Sequence, residues 1–188
     1  ATVNLSGAGD LASHVVVLSS GRILVIGRSA SSGGAIADLG IACFETNGTA
    51  CSAFGTAGSI VDDLGGDEIV RGVARQASDH LLILTSGTES LRTTQVVTRF
   101  TADGVQDAAF GTIEQSASTD GNDFGVGIGL LAADGYVAVG NANQGGDLDM
   151  SLHPSGETPS LVDVRGLNDV PTAMAVDGSG RVVVVGET

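Results

Sequence analysis

The side chains able to do chemistry are few and scattered. His14, His80 and His153 are the only imidazoles in 188 residues. They fall at three different places in the sequence pattern: in an apolar run, just before another, and ahead of a Pro-Ser-Gly turn. General-base or nucleophilic catalysis needs a base within hydrogen-bond reach of its partner. No Gly-x-Ser-x-Gly elbow followed by an acid and a histidine occurs, so a hydrolase triad is unsupported and no catalytic residue is assigned. His14 and Arg71 each lie four residues beyond an aspartate, Asp10 and Asp67. If the chain is a metal-assisted lyase or hydrolase working in a central channel, these two are the expected ligand contacts; a soluble ligand binder would instead show a deep channel with converging polar groups.

Carboxylates are more plentiful, in the runs Asp62-Asp63, Asp67-Glu68, Asp120-Gly121-Asn122-Asp123 and Asp147-Leu148-Asp149. Calcium takes several hard oxygens from a glycine-containing loop, and Asp120, Asn122 and Asp123 are the candidate ligands. They would make the chain a calcium-binding adhesion domain. The ordered Asp-x-Asp-x-Asp-Gly pattern is absent, and Asp67 and Asp123 also suit turn-forming roles through their side-chain oxygens. No other cofactor is expected. Cys43 and Cys51 flank Asn47-Gly48, a strong hairpin-turn signal. Their spacing predicts a cross-strand disulfide and an oxidising compartment; the alternative is two reduced, half-buried thiols. Two cysteines alone lack the four ligands of structural zinc. Aromatic platforms for sugars are scarce, with one tyrosine and no tryptophan. Asn4-Leu5-Ser6 and Asn47-Gly48-Thr49 fit the short N-glycosylation pattern.

Composition narrows the partners. Twenty-two acids face eight basic residues, all arginine, for a net charge of −14. Nucleic acids and anionic membrane surfaces both call for clustered Lys/Arg, so neither is expected as a partner. No apolar run approaches the roughly 18 residues of a membrane span, and membrane insertion is not expected. There is no basic-then-apolar leader, which suits a mature secreted chain starting at Ala1.

The elements that must position these residues come from a repeat. Ser20-Gly21-Arg22-Ile23-Leu24-Val25-Ile26-Gly27 is echoed by Ser78-Asp79-His80-Leu81-Leu82-Ile83-Leu84, by Asp134-Gly135-Tyr136-Val137-Ala138-Val139-Gly140, and by Ser179-Gly180-Arg181-Val182-Val183-Val184-Val185-Gly186. An aspartate opens each preceding segment, at Asp10, Asp67, Asp123 and Asp169. These anchors divide the chain into units 10–66, 67–122 and 123–168 and a partial unit 169–188. Phe44 with Phe100, and Phe54-Gly55 with Phe110-Gly111, recur in register. Each full unit holds four short apolar or alternating runs separated by Gly/Asp/Ser/Asn clusters, and none has a helical period. In the second unit the expected strands are 70–74, 81–84, 95–100 and 113–116. The predicted fold is all-β: β-propeller blades, about three and a half four-stranded antiparallel sheets in an incomplete ring.

These motifs resemble the bacterial delta-60 repeat, and more distantly NHL-type propeller blades. The resemblance rests on Thr98-Arg99-Phe100, Asp103-Gly104-Val105-Gln106-Asp107, Phe110-Gly111 and Asp134-Gly135-Tyr136-Val137-Ala138-Val139-Gly140. Thr98 departs from the family's alanine, and the third unit lacks the Phe-Gly pair, which puts its outer hairpin in question. The resemblance implies a propeller in an exported, periplasmic or surface-exposed bacterial protein, with no catalytic mechanism attached.

Residues 2–6 read as a lone outer strand, which brings the expected total to fifteen strands, and the last unit stops after its second. Open strand edges leave backbone N–H and C=O groups unpaired. The expectation is a non-catalytic secreted or cell-surface structural and interaction module, completed by strand pairing with another chain or a further segment.

Overall fold

The computed structural model describes residues 3–5, 9–30, 36–89, 92–118 and 122–188. The chain is all-β, with one 3-10 turn among the described residues, at Ala132–Asp134. The first sheet runs in order β1 (Asp10–Val17), β2 (Ile23–Ala30), β3 (Ala37–Phe44), β4 (Ser59–Asp62). The second is β5 (Asp67–Arg75), β6 (Leu81–Glu89), β7 (Arg92–Phe100), β8 (Thr112–Gln115). The third is β9 (Asp123–Leu130), β10 (Tyr136–Asn143), β11 (Leu148–Pro154), β12 (Ser160–Val162). A fourth, two-stranded sheet pairs β13 (Val170–Val176) with β14 (Val182–Glu187). All strand pairs within the sheets are antiparallel meanders, and the first strands of successive sheets are neighbours. The third sheet keeps its outer hairpin without the Phe-Gly pair, with β12 on β11 through Ser160–Val162.

The turns explain why the sheets repeat. The first-to-second-strand connections of the first, second and fourth sheets close on the same reciprocal backbone bonds, as in Leu18 N–H to Arg22 O and Gly21 N–H to Leu18 O. The third keeps the bond from Leu131 N–H to Gly135 O but pairs Gly135 N–H with Ala132 O in its 3-10 turn. The residue equivalent to Gly21 in the second sheet is Asp79, at φ +63°, a region that aspartate tolerates better than most residues. Its carboxylate accepts the Ser19 N–H at 3.0 Å and so ties this turn to the one before it.

Sheets stack face to face. Leu24, Ile26, Leu39 and Ile41 of the first meet Val70, Leu81, Ile83 and Phe100 of the second, with Phe54 filling the same layer. Leu82, Leu84 and Val97 of the second meet Ile128, Tyr136 and Ala138 of the third. At roughly 1.5–3 kcal/mol for each fully buried aliphatic or aromatic side chain, these layers bind the sheets together. The expected disulfide is present: Cys43 and Cys51 are bonded at 2.03 Å, inside the first layer.

Two expectations need correcting. Residues 3–5 form no strand, and Thr2 and Ser6 lie outside the described residues. The Leu5 N–H is committed to Asp10 Oδ2 at 2.8 Å, so within this chain it takes no part in strand pairing. The repeat anchor of the second sheet is Glu68 and not Asp67. Each first strand carries one bulged residue: Ser13, Arg71, Val126 and Thr172. Counting back three from each bulge gives Asp10, Glu68, Asp123 and Asp169.

Candidate functional site

The bulge decides where the expected ligand residues stand. Arg71 is itself the bulged residue, so its counterpart is Ser13, and the counterpart of His14 is Gly72. The two do not share a register position. His14 is half-buried, with Nδ1 2.9 Å from Ser13 Oγ, and burial lowers its pKa. The Arg71 Nε is buried without a hydrogen-bond partner. A cleft of about 520 Å3 on the second sheet, bordered by Leu64 and Gly65 of the connection leading into it, is lined by neither; Glu68, Thr85, Arg92 and Glu114 are among the residues that form it.

The anchoring carboxylates share a structural task. Asp10 accepts the N–H of Leu5, and Asp169 accepts that of Val164 at 2.6 Å, each five residues upstream. Asp123, fully buried, accepts Ala117 N–H and Ser118 N–H at 3.1 Å each, Ser116 Oγ–H at 3.0 Å and Ser118 Oγ–H at 2.8 Å. A buried charge is tolerated where hydrogen bonds replace its water, and Asp123 is so provided. Of the expected calcium set, Asp123 is thus spent on the chain itself. Asn122 Oδ1 accepts the Thr93 N–H at 3.3 Å, and Asp120 lies outside the described residues.

The end faces of the stack carry exposed valines that the sequence did not single out. Val183 and Val185 on β14 occupy the register positions of Leu24 and Ile26, of Leu82 and Leu84, and of Val137 and Val139. Those six are at most 1% exposed, whereas Val183 is 51% and Val185 56% exposed. At the other end, Val15 on β1 matches Val73, and Ile23, Val25 and Phe44 match the fully buried Leu81, Ile83 and Phe100. Val15 is 66% exposed, with Val17 exposed beside it on the same face. Each end therefore presents the same kind of apolar face that another sheet covers inside the stack. Contiguous exposed patches of this sort mark interaction surfaces.

Among the described residues, no helix is long and apolar enough to cross a membrane. No protein-family model matches this chain, and no curated protein does either.

Proposed function

We propose that the chain is a non-catalytic structural and interaction module, a run of blades that docks head to tail onto a further blade of its own kind. The single observation that carries this is the register match at the two ends. The face holding Val183 and Val185 is equivalent to the face that Leu24 and Ile26 present to the second sheet. The face holding Ile23, Val25 and Phe44 is equivalent to the one that receives them. A donor face at one end and a receiver face at the other are complementary, so the contact is heterologous and yields a ring or an open array. The partner is another segment or another chain with the same repeat. The delta-60-like motifs and the disulfide support a secreted or cell-surface bacterial setting.

Sedimentation velocity over a micromolar concentration series tests the reading. Self-association is expected, and Val185→Asp, which places a charge on the donor face, is expected to abolish it with the β-sheet circular dichroism unchanged. A wild-type chain that stays monomeric at the highest concentrations and binds no hydrophobic dye would overturn the proposal.

A further inference from the structure

Two three-carboxylate clusters occupy equivalent places in the repeat. At the junction of the first and second sheets, Asp38, Asp63 and Glu68 bring ligand oxygens within 4.8 Å of one another. At the junction of the third and fourth, Asp149, Asp163 and Asp169 do the same. The strand registers make the sets correspond one to one. Asp38 and Asp149 are both the second residue of a third strand, opposite Ser29 and Ala142, Asp63 and Asp163 each follow the fourth strand, and Glu68 and Asp169 are both repeat anchors.

Second observations come from the oxygens themselves. Glu68 is 1% exposed and neither of its carboxylate oxygens has a partner in full hydrogen-bond geometry, the Leu64 N–H only coming near enough to offset part of its burial. Asp169 is fully buried with Oδ1 unpartnered, and Asp149 is 9% exposed with Oδ1 unpartnered. No arginine is spent here: the ion pairs among the described residues join Arg22 to Asp103, Arg75 to Asp79, Arg99 to Asp107 and Arg181 to Asp177. Burial, and after it the charges of Asp63 and Asp38, pushes the Glu68 carboxyl up to about 7. Burial followed by Asp147, Asp163 and Asp169 raises Asp149 as well.

The middle junction is the internal comparison. The residues equivalent to Asp38, Asp63 and Glu68 there are Thr94, Ser116 and Asp123. One acid remains, and hydroxyl and N–H donors satisfy it. Where the chain keeps one carboxylate, donors satisfy both of its oxygens. Where it places three, backbone donors reach Asp63, Asp163 and one oxygen of Asp169, while both Glu68 oxygens and Oδ1 of Asp149 and of Asp169 have no partner in full hydrogen-bond geometry.

We propose that each three-carboxylate junction binds one divalent cation of calcium size, which neutralises the cluster and fastens adjacent sheets together. The donor set is all hard oxygen, with no imidazole or thiolate, which disfavours zinc and copper. Oxygens up to 4.8 Å apart suit opposite ligands of an ion with bonds of about 2.3–2.6 Å, and a multi-carboxylate cage suits calcium better than magnesium, which keeps more of its water. The cleft that reaches Glu68 gives the first junction an entry path.

The test is isothermal titration of chelator-stripped full chain with CaCl2, beside thermal melts with and without calcium. Two calcium ions per chain and a higher melting temperature are expected. Asp38→Thr with Asp63→Ser, which copies the middle junction, is expected to bind one ion. Asp149→Thr with Asp163→Ser is likewise expected to bind one, and the combined variant none, each with unchanged β-sheet circular dichroism. Glu68→Gln alone provides a second route to losing the first ion should the paired swap fail to fold. Absence of calcium heat and of any thermal shift at millimolar calcium overturns the proposal. So does binding that survives in the combined variant, or a preference for magnesium.

Discussion

Gly27→Ala is the substitution whose outcome the geometry constrains most tightly. Beside the bulge at Ser13 the first strand runs so close to the second that a Cβ at Gly27 would lie 2.0 Å from the Leu11 carbonyl oxygen and 2.9 Å from Ala12 Cα, whereas the second sheet carries Thr85 at the equivalent place. Both obstacles are backbone and cannot rotate away. Reaching an ordinary contact requires the strands to part by more than an ångström, which strains or breaks pairing beside the bulge. Overpacking of a well-fitted interior costs about 1–3 kcal/mol, and the rigid obstacle places this case at the upper end. Removing a glycine from the unfolded chain returns roughly 0.4–1 kcal/mol. The net expectation is a loss of about 2 kcal/mol. Urea denaturation followed by far-ultraviolet circular dichroism reads it directly, with Gly9→Ala as the control, since nothing lies within 4 Å of a Cβ there. Gly140 and Gly186 meet the same obstacle, from the Phe124 and Val170 carbonyls at 2.1 and 2.2 Å. Gly186→Ala is expected to cost less, because the two-stranded sheet is free to relax on one face. A Gly27→Ala protein within 0.5 kcal/mol of wild type would refute the close-approach argument.

Two further outcomes follow from buried groups. Replacing Cys43 and Cys51 by alanine opens a loop with a sequence separation of 8 residues, and the loop-entropy relation gives a loss of about 2.5 kcal/mol; melts with and without a reductant check it, and equal melting temperatures would sink the estimate. His153 is 1% exposed with neither ring nitrogen hydrogen-bonded, and burial, only partly offset by Asp123, lowers its pKa. Above about pH 6.5 both folded and unfolded states carry the neutral ring; below it the unfolded chain takes up a proton that the folded chain refuses, so stability falls with a limiting slope of about 1.4 kcal/mol per pH unit. His153→Thr, the residue type found at the equivalent Thr98, is expected to remove that component, seen as a pH-dependent stability difference from wild type between pH 6.5 and 5; a constant difference would contradict it.

The second strands were legible because their apolar runs sit between turn residues of fixed type: Ile23–Gly27, Leu81–Leu84, Tyr136–Gly140 and Val182–Gly186 all lie inside observed strands. The disulfide was legible from Asn47-Gly48 and the cysteine spacing. The bulge was not, because one extra residue leaves no mark in a short apolar pattern. Asp67 and Glu68 are adjacent acids, and without the bulge nothing in their types tells which one is the anchor. A one-residue slip exchanges the two faces of a strand, and it is what aligned His14 with Arg71. The carboxylate clusters escaped notice for a different reason. Asp62-Asp63 and Asp67-Glu68 were visible as runs, but Asp38 joins them only through the pairing of β3 with β4, and Asp149 meets Asp169 only across a sheet boundary. Asp123 drew attention as a calcium ligand because its hydroxyl donors, Ser116 and Ser118, are in a loop whose path the sequence does not trace.

The second sheet is covered on both faces, and six successive residues of β6, Leu81 to Ser86, are at most 2% exposed, while β14 stands with one face bare. In a stack where each layer touches only its neighbours, stability is a sum of local terms, and opening begins where a layer has one neighbour instead of two. Amide exchange would therefore be slowest in β6 and β7 and quicken toward both ends. Adding a blade at either end would slow exchange throughout that end, so assembly itself would set how long the terminal strands stay closed.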